Sequence, residues 1–154
     1  MAGLVQIAVG LAAVLAQIGL GGGLYEFSVL DRAWPRNPAL IQPQRGGVSR
    51  KNFWIAAHTA FELMLVASLM IAWPYEAVRF WLLVALASHA AMRIWSLVDF
   101  VPKALAFEAV DPARFDEAAA RQWTRRSMLR LPLDLVTVGA MMMAFAEALA
   151  LSPL

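Results

Sequence analysis

The sequence predicts an all-α integral membrane protein: a bundle of four transmembrane helices in a single membrane domain, residues 1–154. Apolar residues make up 61% of the chain and the mean hydropathy is +0.62. Soluble domains average about 45–50% apolar residues. Four apolar stretches lie at about 4–24, 53–73, 80–100 and 131–149. Each is about 20 residues long, which an α-helix needs to cross the hydrocarbon core.

The first apolar stretch is expected to remain in the mature protein as a helix. No Lys or Arg precedes it, and it is longer than the apolar core of a signal peptide. Its small residues would let another helix approach closely, namely Gly10, Ala12, Ala13, Ala16 and Gly19. The run Gly21-Gly22-Gly23 is expected to weaken helical order just afterwards.

Two longer connections separate the apolar stretches. Residues 27–52 contain Pro35, Pro38 and Pro43, so a long loop is expected, either a lid over a site or a mobile linker. The third helix is expected to end before Pro102. Residues 103–130 are polar and helix-prone, and they predict an amphipathic segment lying along the membrane surface before the fourth helix.

The distribution of basic residues predicts the orientation. The first long connection carries Arg32, Arg36, Arg45, Arg50 and Lys51, and the second carries Lys103, Arg114, Arg121, Arg125, Arg126 and Arg130. Only Arg79 lies in the short turn between the second and third stretches, and neither terminus carries Lys or Arg. Because positive charge concentrates on the cytoplasmic side, both long connections are expected there and both termini outside, in a bacterial-type inner membrane.

Composition also excludes several classes of function. The chain has no cysteine, which rules out disulfides, thiolate metal sites and cysteine nucleophiles. The net charge is only +2, and the basic residues lie between apolar stretches. No basic stripe along a soluble face is present, so nucleic acid is not an expected partner.

Three pairs of ionisable residues four positions apart lie within the apolar stretches or at the start of one, and such a pair lies on one helix face. The pairs are His58 with Glu62, His89 with Arg93, and Arg130 with Asp134. Ionisable side chains within a membrane are costly and usually turn toward the bundle interior. These faces are therefore expected to meet inside the bundle.

A rise of about 1.5 Å per residue places these groups in one half of the membrane. From the cytoplasmic side, His58 lies about 8 Å deep and Glu62 about 14 Å, while Arg93 lies about 10 Å and His89 about 16 Å deep. Asp134 is about 5 Å deep. Tyr25-Glu26 and Asp99 mark the cytoplasmic ends of their helices. The interpretation is a polar pocket near the cytoplasmic surface, and the alternative is a set of ion pairs that only hold helices together.

Such a pocket suits acid–base chemistry on a lipophilic small molecule taken from the membrane, such as isomerisation, hydration, epoxide opening or cyclisation. A carboxyl group in an apolar site can hold a proton near neutral pH, and a histidine can serve as the complementary base. Glu62 and His58 are the expected proton-transfer pair, and His89 and Arg93 are expected to orient or polarise the substrate. The supporting groups are Glu26, Tyr25, Asp99, Arg130 and Asp134, with Trp54 and Trp95 shaping the pocket.

Two other classes of function remain open. The residues His58, Glu62, His89 and Glu26 could bind iron, manganese or zinc in a membrane oxidoreductase. No metal is favoured, because His-x₃-Glu is not the Glu-x₂-His signature of di-iron bundles. The chain could instead be a proton-coupled transporter or an accessory subunit of a membrane complex. The expected partners are membrane lipid, a hydrophobic substrate and a second copy of the chain in a homo-oligomer.

Overall fold

The computed structural model describes residues 1–151, which contain four long α-helices and no β-strand. Helix α1 is Ala2–Ala33, α2 is Arg50–Ile71, α3 is Glu76–Ala109 and α4 is Glu117–Leu149. All four are long and apolar enough to cross a membrane. The predicted all-α class and the four membrane-length helices are confirmed, and they indicate an integral membrane protein.

The four helices form an antiparallel bundle whose neighbours follow chain order. Helix α1 packs on α2 and on α4, and α4 also packs on α3, whereas α2 and α3 meet over a shorter length. Residues 34–49 and 110–116 connect the helices at one end of the bundle, which we call the charged end. Residues 72–75 connect α2 to α3 at the opposite end. The limited α2–α3 contact leaves a seam between these two helices.

Small residues bring α1 close to its neighbours. Ala12, Ala13 and Ala16 are buried against the other helices. A methyl group added at Gly22 would lie 2.3 Å from the ring of Phe53 on α2, so no larger side chain fits there without a shift. Close packing of this kind is a main source of helix association in membranes.

Helix α1 extends well beyond the predicted span. It continues through Gly21-Gly22-Gly23 to Ala33, so the expected loss of helical order at the glycines is wrong and the first residues of the predicted loop 27–52 are helical. Packing of Gly22 on α2 explains the difference, because tertiary contacts outweigh intrinsic helix propensity. The rest of the connection contains two short 3₁₀ turns, Pro38–Ile41 and Pro43–Arg45.

Helix α3 does not end before Pro102, as the sequence predicted, but continues to Ala109. A π-helical turn at Ser96–Phe100 precedes the proline, and the N–H of Val101 bonds to the Ser96 carbonyl five residues earlier. This local change of hydrogen-bond register accommodates a residue that lacks an N–H. Helix α1 contains a similar π-helical turn at Glu26–Leu30.

The last part of the predicted polar segment 103–130 belongs to the same helix as the apolar stretch that follows it. Helix α4 begins at Glu117 and passes through a 3₁₀ turn at Met128–Arg130 into the apolar part. Asp116 caps it by accepting a hydrogen bond from the N–H of Ala119 at 2.9 Å. The predicted segment 103–130 is therefore divided between the end of α3, the connection 110–116 and the start of α4.

A cluster of aromatic residues closes the charged end. Trp34 is fully buried, and its ring centroid lies 5.3–6.0 Å from those of Phe107, Phe115 and Trp123. Gln42 attaches the 34–49 connection to α3 by donating to two carbonyl groups near the end of that helix. We call Trp34, Phe100, Phe107, Phe115 and Trp123 the aromatic cluster.

Candidate functional site

A cavity of about 390 Å³ lies between the four helices, next to the aromatic cluster. Its volume falls within the range of small-molecule sites, about 300–1,000 Å³. Most of its surface is apolar, with ionisable side chains converging from all four helices. Seven of the residues predicted for the site line it, namely Glu26, Trp54, His58, His89, Arg93, Arg130 and Asp134.

Glu62 joins α2 to α3 beside the cavity. Its Oε1 accepts a hydrogen bond from Nε of Arg93 at 2.8 Å and lies 3.2 Å from Nε2 of His89. His89 donates in this contact when Nε2 carries the proton. Glu62 is not among the lining residues, and its side chain is 42% exposed at the α2–α3 seam. The carboxylate therefore orients His89 and Arg93 from outside the cavity wall.

His58 is held by ring contacts. Its ring stacks on Trp54 with the centroids 5.3 Å apart, and the His89 ring is 5.6 Å away. Among the described residues, neither ring nitrogen of His58 has a hydrogen-bond partner. The separation of the two histidine rings is smaller than the difference of about 8 Å between the depths predicted for His58 and His89. His58 is thus a cavity-lining imidazole whose nitrogens are available to a ligand.

Glu26 closes the side of the cavity formed by α1 and α2. It accepts hydrogen bonds from Nε1 of Trp54 at 2.6 Å and from Nη1 of Arg50 at 3.2 Å. Arg50 also contacts Glu108 on α3 at 3.5 Å. Its guanidinium lies 5.6 Å and 5.5 Å from the rings of two members of the aromatic cluster, Trp34 and Trp123. Buried cations with this many partners fix the relative positions of the helices that carry them.

Sequence reasoning missed three of the ionisable lining residues, Arg50, Lys51 and Glu108, because basic and acidic residues at helix ends were assigned to the membrane surface. The sequence does carry a signal for one of them. Arg50, Trp54, His58 and Glu62 recur at intervals of four, so they follow one face of α2. Extending the His58–Glu62 pair by two more steps would have found Arg50.

Arg130 and Asp134 line the cavity from α4 but are not paired with each other. Nη1 of Arg130 donates to Oγ of Ser96 at 2.8 Å, and Nε donates to the carbonyl of Ser127 at 3.2 Å. The guanidinium lies 4.4 Å from the centre of the Phe100 ring. Within residues 1–151, Asp134 makes neither an ion pair nor a hydrogen bond through its side chain. Among residues 1–151, Asp134 is thus a cavity-lining carboxyl group without a direct protein partner.

The structure does not bring three of the predicted supporting residues into the cavity. Tyr25 is 65% exposed and does not line it. Asp99 pairs with Lys103 and with Arg126, so it links the end regions of α3 and α4 instead. Trp95 packs on Phe100 behind the cavity wall, with the ring centroids 5.5 Å apart.

A metal ion could be held by part of the predicted ligand set. One ligand atom from each of His58, Glu62 and His89 lies within 4.8 Å of the others. Two imidazoles and one carboxylate are a donor set suited to non-haem iron, with zinc and manganese as alternatives. Arg93 competes for the Glu62 carboxylate in the structure described. Glu26 is not in this group, and its carboxylate accepts hydrogen bonds from Trp54 and Arg50 instead.

Comparison of the chain with protein-family models, with curated proteins and with solved structures finds no match.

Proposed function

We propose that this protein is a membrane-embedded enzyme that acts on a lipophilic small molecule by acid–base chemistry. The observation that carries the proposal is the cavity itself, a largely apolar space into which two histidines, Arg93 and Asp134 project. Apolar pockets with a few convergent polar groups are the usual form of small-molecule sites. The candidate reactions are isomerisation, hydration or epoxide opening, and cyclisation.

The geometry supports distinct roles for the polar residues. His58, whose nitrogens are available, would exchange a proton with the substrate, and Asp134 is a second proton-transfer group. Glu62 would act as a positioning residue that orients His89 and Arg93, as a carboxylate does in other histidine-based sites. Arg93 uses only Nε to contact Glu62, so its two Nη groups could polarise a substrate oxygen.

We further propose that the charged end lies on the cytoplasmic side of a bacterial inner membrane, with both termini outside. The support is the basic content of the two long connections at that end, compared with one arginine in the short turn and none at the termini. Substrate would then enter from the inner leaflet of the membrane.

The test is proton transfer from solvent to a lipophilic compound. Purified protein is incubated with a membrane lipid extract in deuterium oxide, and products are surveyed by mass spectrometry for deuterium at non-exchanging positions and for new compounds. Wild type is expected to convert a compound, and Glu62→Gln is expected to reduce conversion by about 10²-fold, as loss of a group that supports general acid–base catalysis does. The matched control is Glu147→Gln, whose carboxylate lies in α4 and is not part of the cavity lining. Equal conversion by Glu62→Gln and wild type would remove the role assigned to Glu62.

The cavity is tested separately with a glycine pair on α1. Gly19 lines the cavity, Gly21 does not, and a methyl group added at either position meets nothing within 4 Å. Gly19→Leu is therefore expected to fill the cavity and stop conversion, while Gly21→Leu retains it. Retained conversion in a folded Gly19→Leu variant would exclude this cavity as the site.

A second candidate function is metal-dependent oxidation, which the grouping of His58, Glu62 and His89 supports. It predicts one bound ion per chain when the protein is titrated with ferrous iron, zinc or manganese. His58→Gln should abolish binding, and Arg93→Gln should strengthen it by freeing the Glu62 carboxylate. Absence of stoichiometric binding in both wild type and Arg93→Gln would exclude the metal site.

A further inference from the structure

Arg130 differs from the other cations that line the cavity. No carboxylate oxygen among residues 1–151 lies within 4.0 Å of its guanidinium. The other three lining cations each contact a carboxylate, in the pairs Arg50–Glu26, Lys51–Glu108 and Arg93–Glu62. Arg130 is thus the lining cation whose charge no direct partner neutralises within the described chain.

Neutral groups hold the Arg130 guanidinium in place. The Ser96 hydroxyl and the Ser127 carbonyl accept hydrogen bonds from Nη1 and Nε, and the Phe100 ring lies 4.4 Å away. The donors on Nη2 have no partner among the described residues. A guanidinium fixed in this way is prepared to bind a carboxylate or phosphate, whose oxygens match its planar arrangement of donors.

The cavity opens sideways at the α2–α3 seam. Ile55 on α2 and Leu97 on α3 both line the cavity, yet they are 66% and 54% exposed. Val101 and Leu105 are lining residues that are also exposed. Side chains that line a cavity and are also exposed form the edge of its opening. Because this edge is apolar and lies along helices long enough to span a membrane, it suits a hydrocarbon chain rather than water.

We propose that the cavity binds an amphiphile with one anionic oxygen headgroup, a carboxylate or a phosphate monoester, whose head is bound by Arg130 and whose apolar part passes between Ile55 and Leu97 toward the bilayer. This deepens the proposed function, on which it rests, by naming the substrate class. A volume of about 390 Å³ holds the head and the first part of the chain, and the seam accommodates the remainder.

Asp134 lies one turn beyond Arg130 and opposes an anionic head whenever its carboxyl group is ionised. The other acidic lining residues, Glu26 and Glu108, are already neutralised by Arg50 and Lys51. Asp134→Asn is therefore expected to strengthen binding of the anionic amphiphile and to leave binding of a neutral analogue unchanged. The effect distinguishes headgroup recognition from general hydrophobic binding.

The experiment compares three probes of the same chain length: a fluorescent polyene fatty acid, its methyl ester and the corresponding alkyl phosphate. Each is titrated into purified wild-type protein in lipid nanodiscs. One anionic probe is expected to bind at least about tenfold more tightly than the ester, a difference of about 1.4 kcal/mol, because only the anionic head can form charge-assisted hydrogen bonds with Arg130. The tighter of the two anionic probes identifies the headgroup as carboxylate or phosphate.

Arg130→Gln is expected to remove the preference for the anionic probe and leave ester binding unchanged. Arg130→Lys keeps the charge and should retain part of the preference, which guards against misfolding of the Gln variant. The control is Arg114→Gln, an exposed arginine outside the cavity. Equal binding of ester and anionic probes by wild type, or equal effects of Arg130→Gln and Arg114→Gln, would overturn the proposal.

The outcomes separate this inference from the proposed function. If a neutral compound is turned over and the turnover stops in Gly19→Leu, while no probe shows a headgroup preference, the substrate class is wrong and the enzymatic function stands. If the anionic probe binds through Arg130 but no compound undergoes proton transfer, the headgroup site stands and the enzymatic function is wrong.

Discussion

Arg50 and Lys51 are adjacent cations that should differ sharply in their contribution to stability. Both contact Glu108, but the Arg50 side chain is 7% exposed and the Lys51 side chain is 52% exposed. Arg50→Met would leave Glu26 and Glu108 buried without their shared cation, and breaking a buried pair costs about 3–5 kcal/mol. Lys51→Met breaks an exposed pair, which contributes about 0–1 kcal/mol. Arg50→Met is therefore expected to lose about 3 kcal/mol more than Lys51→Met.

The assay is reversible unfolding in mixed micelles with increasing sodium dodecyl sulfate, followed by far-ultraviolet circular dichroism. A third variant separates charge from packing: Arg50→Met with Glu26→Gln and Glu108→Gln also removes the two buried carboxylates that had lost Arg50, and it should recover most of the loss. Equal losses for Arg50→Met and Lys51→Met would refute the reasoning, because burial would then not determine the cost. Failure of the triple variant to recover stability would show that contacts of Arg50 with the aromatic cluster dominate instead.

Two further predictions concern packing and use the same unfolding assay. Gly22→Leu should destabilise the bundle by about 1–3 kcal/mol, as overpacking does, because its Cβ would lie 2.3 Å from the Phe53 ring. Gly21→Leu, which meets nothing within 4 Å, should have little effect, and equal losses would contradict the close α1–α2 approach. Met141→Ala should lose about 2–5 kcal/mol, because the side chain is fully buried. Met143→Ala should lose under about 0.5 kcal/mol, because that side chain is exposed; a loss equal to that of Met141→Ala would contradict the reasoning.

Spacing within the sequence predicted one group of contacts at the candidate site, between Glu62, His89 and Arg93, but not which of these residues line the cavity. Pairs four residues apart must share a helix face, and Glu62, His89 and Arg93 do meet across α2 and α3. Because ionisable groups are costly next to lipid, these helix faces were predicted to turn toward the bundle interior. Helix periodicity and depth do not show whether a side chain points into the cavity or toward the outside of the bundle. The exposure of Glu62 at the seam was therefore not predicted.

The rest of the site depended on contacts between distant parts of the chain. Arg50 lies at a helix end, where basic residues are common, and only its contacts with Glu26 and Glu108 show that it is buried. Tyr25 is next to Glu26 in sequence but is rotated by about 100° around the helix, which turns it away from the cavity. The extension of α1 and α3 was also unpredictable, because glycine and proline propensities were outweighed by packing and by the π-helical turns.

The two π-helical turns determine which way the side chains at the ends of α1 and α3 face. Each contains one residue more than an α-helical turn, so the side chains beyond it are displaced around the axis by about 100°. Deleting one residue within Ser96–Phe100 would remove the extra residue of the turn and rotate everything that follows in α3, including Glu108, away from Arg50. A single-residue deletion or insertion at this level would therefore turn the following part of the helix by about 100° around its axis. The part of the helix before it would keep its contacts.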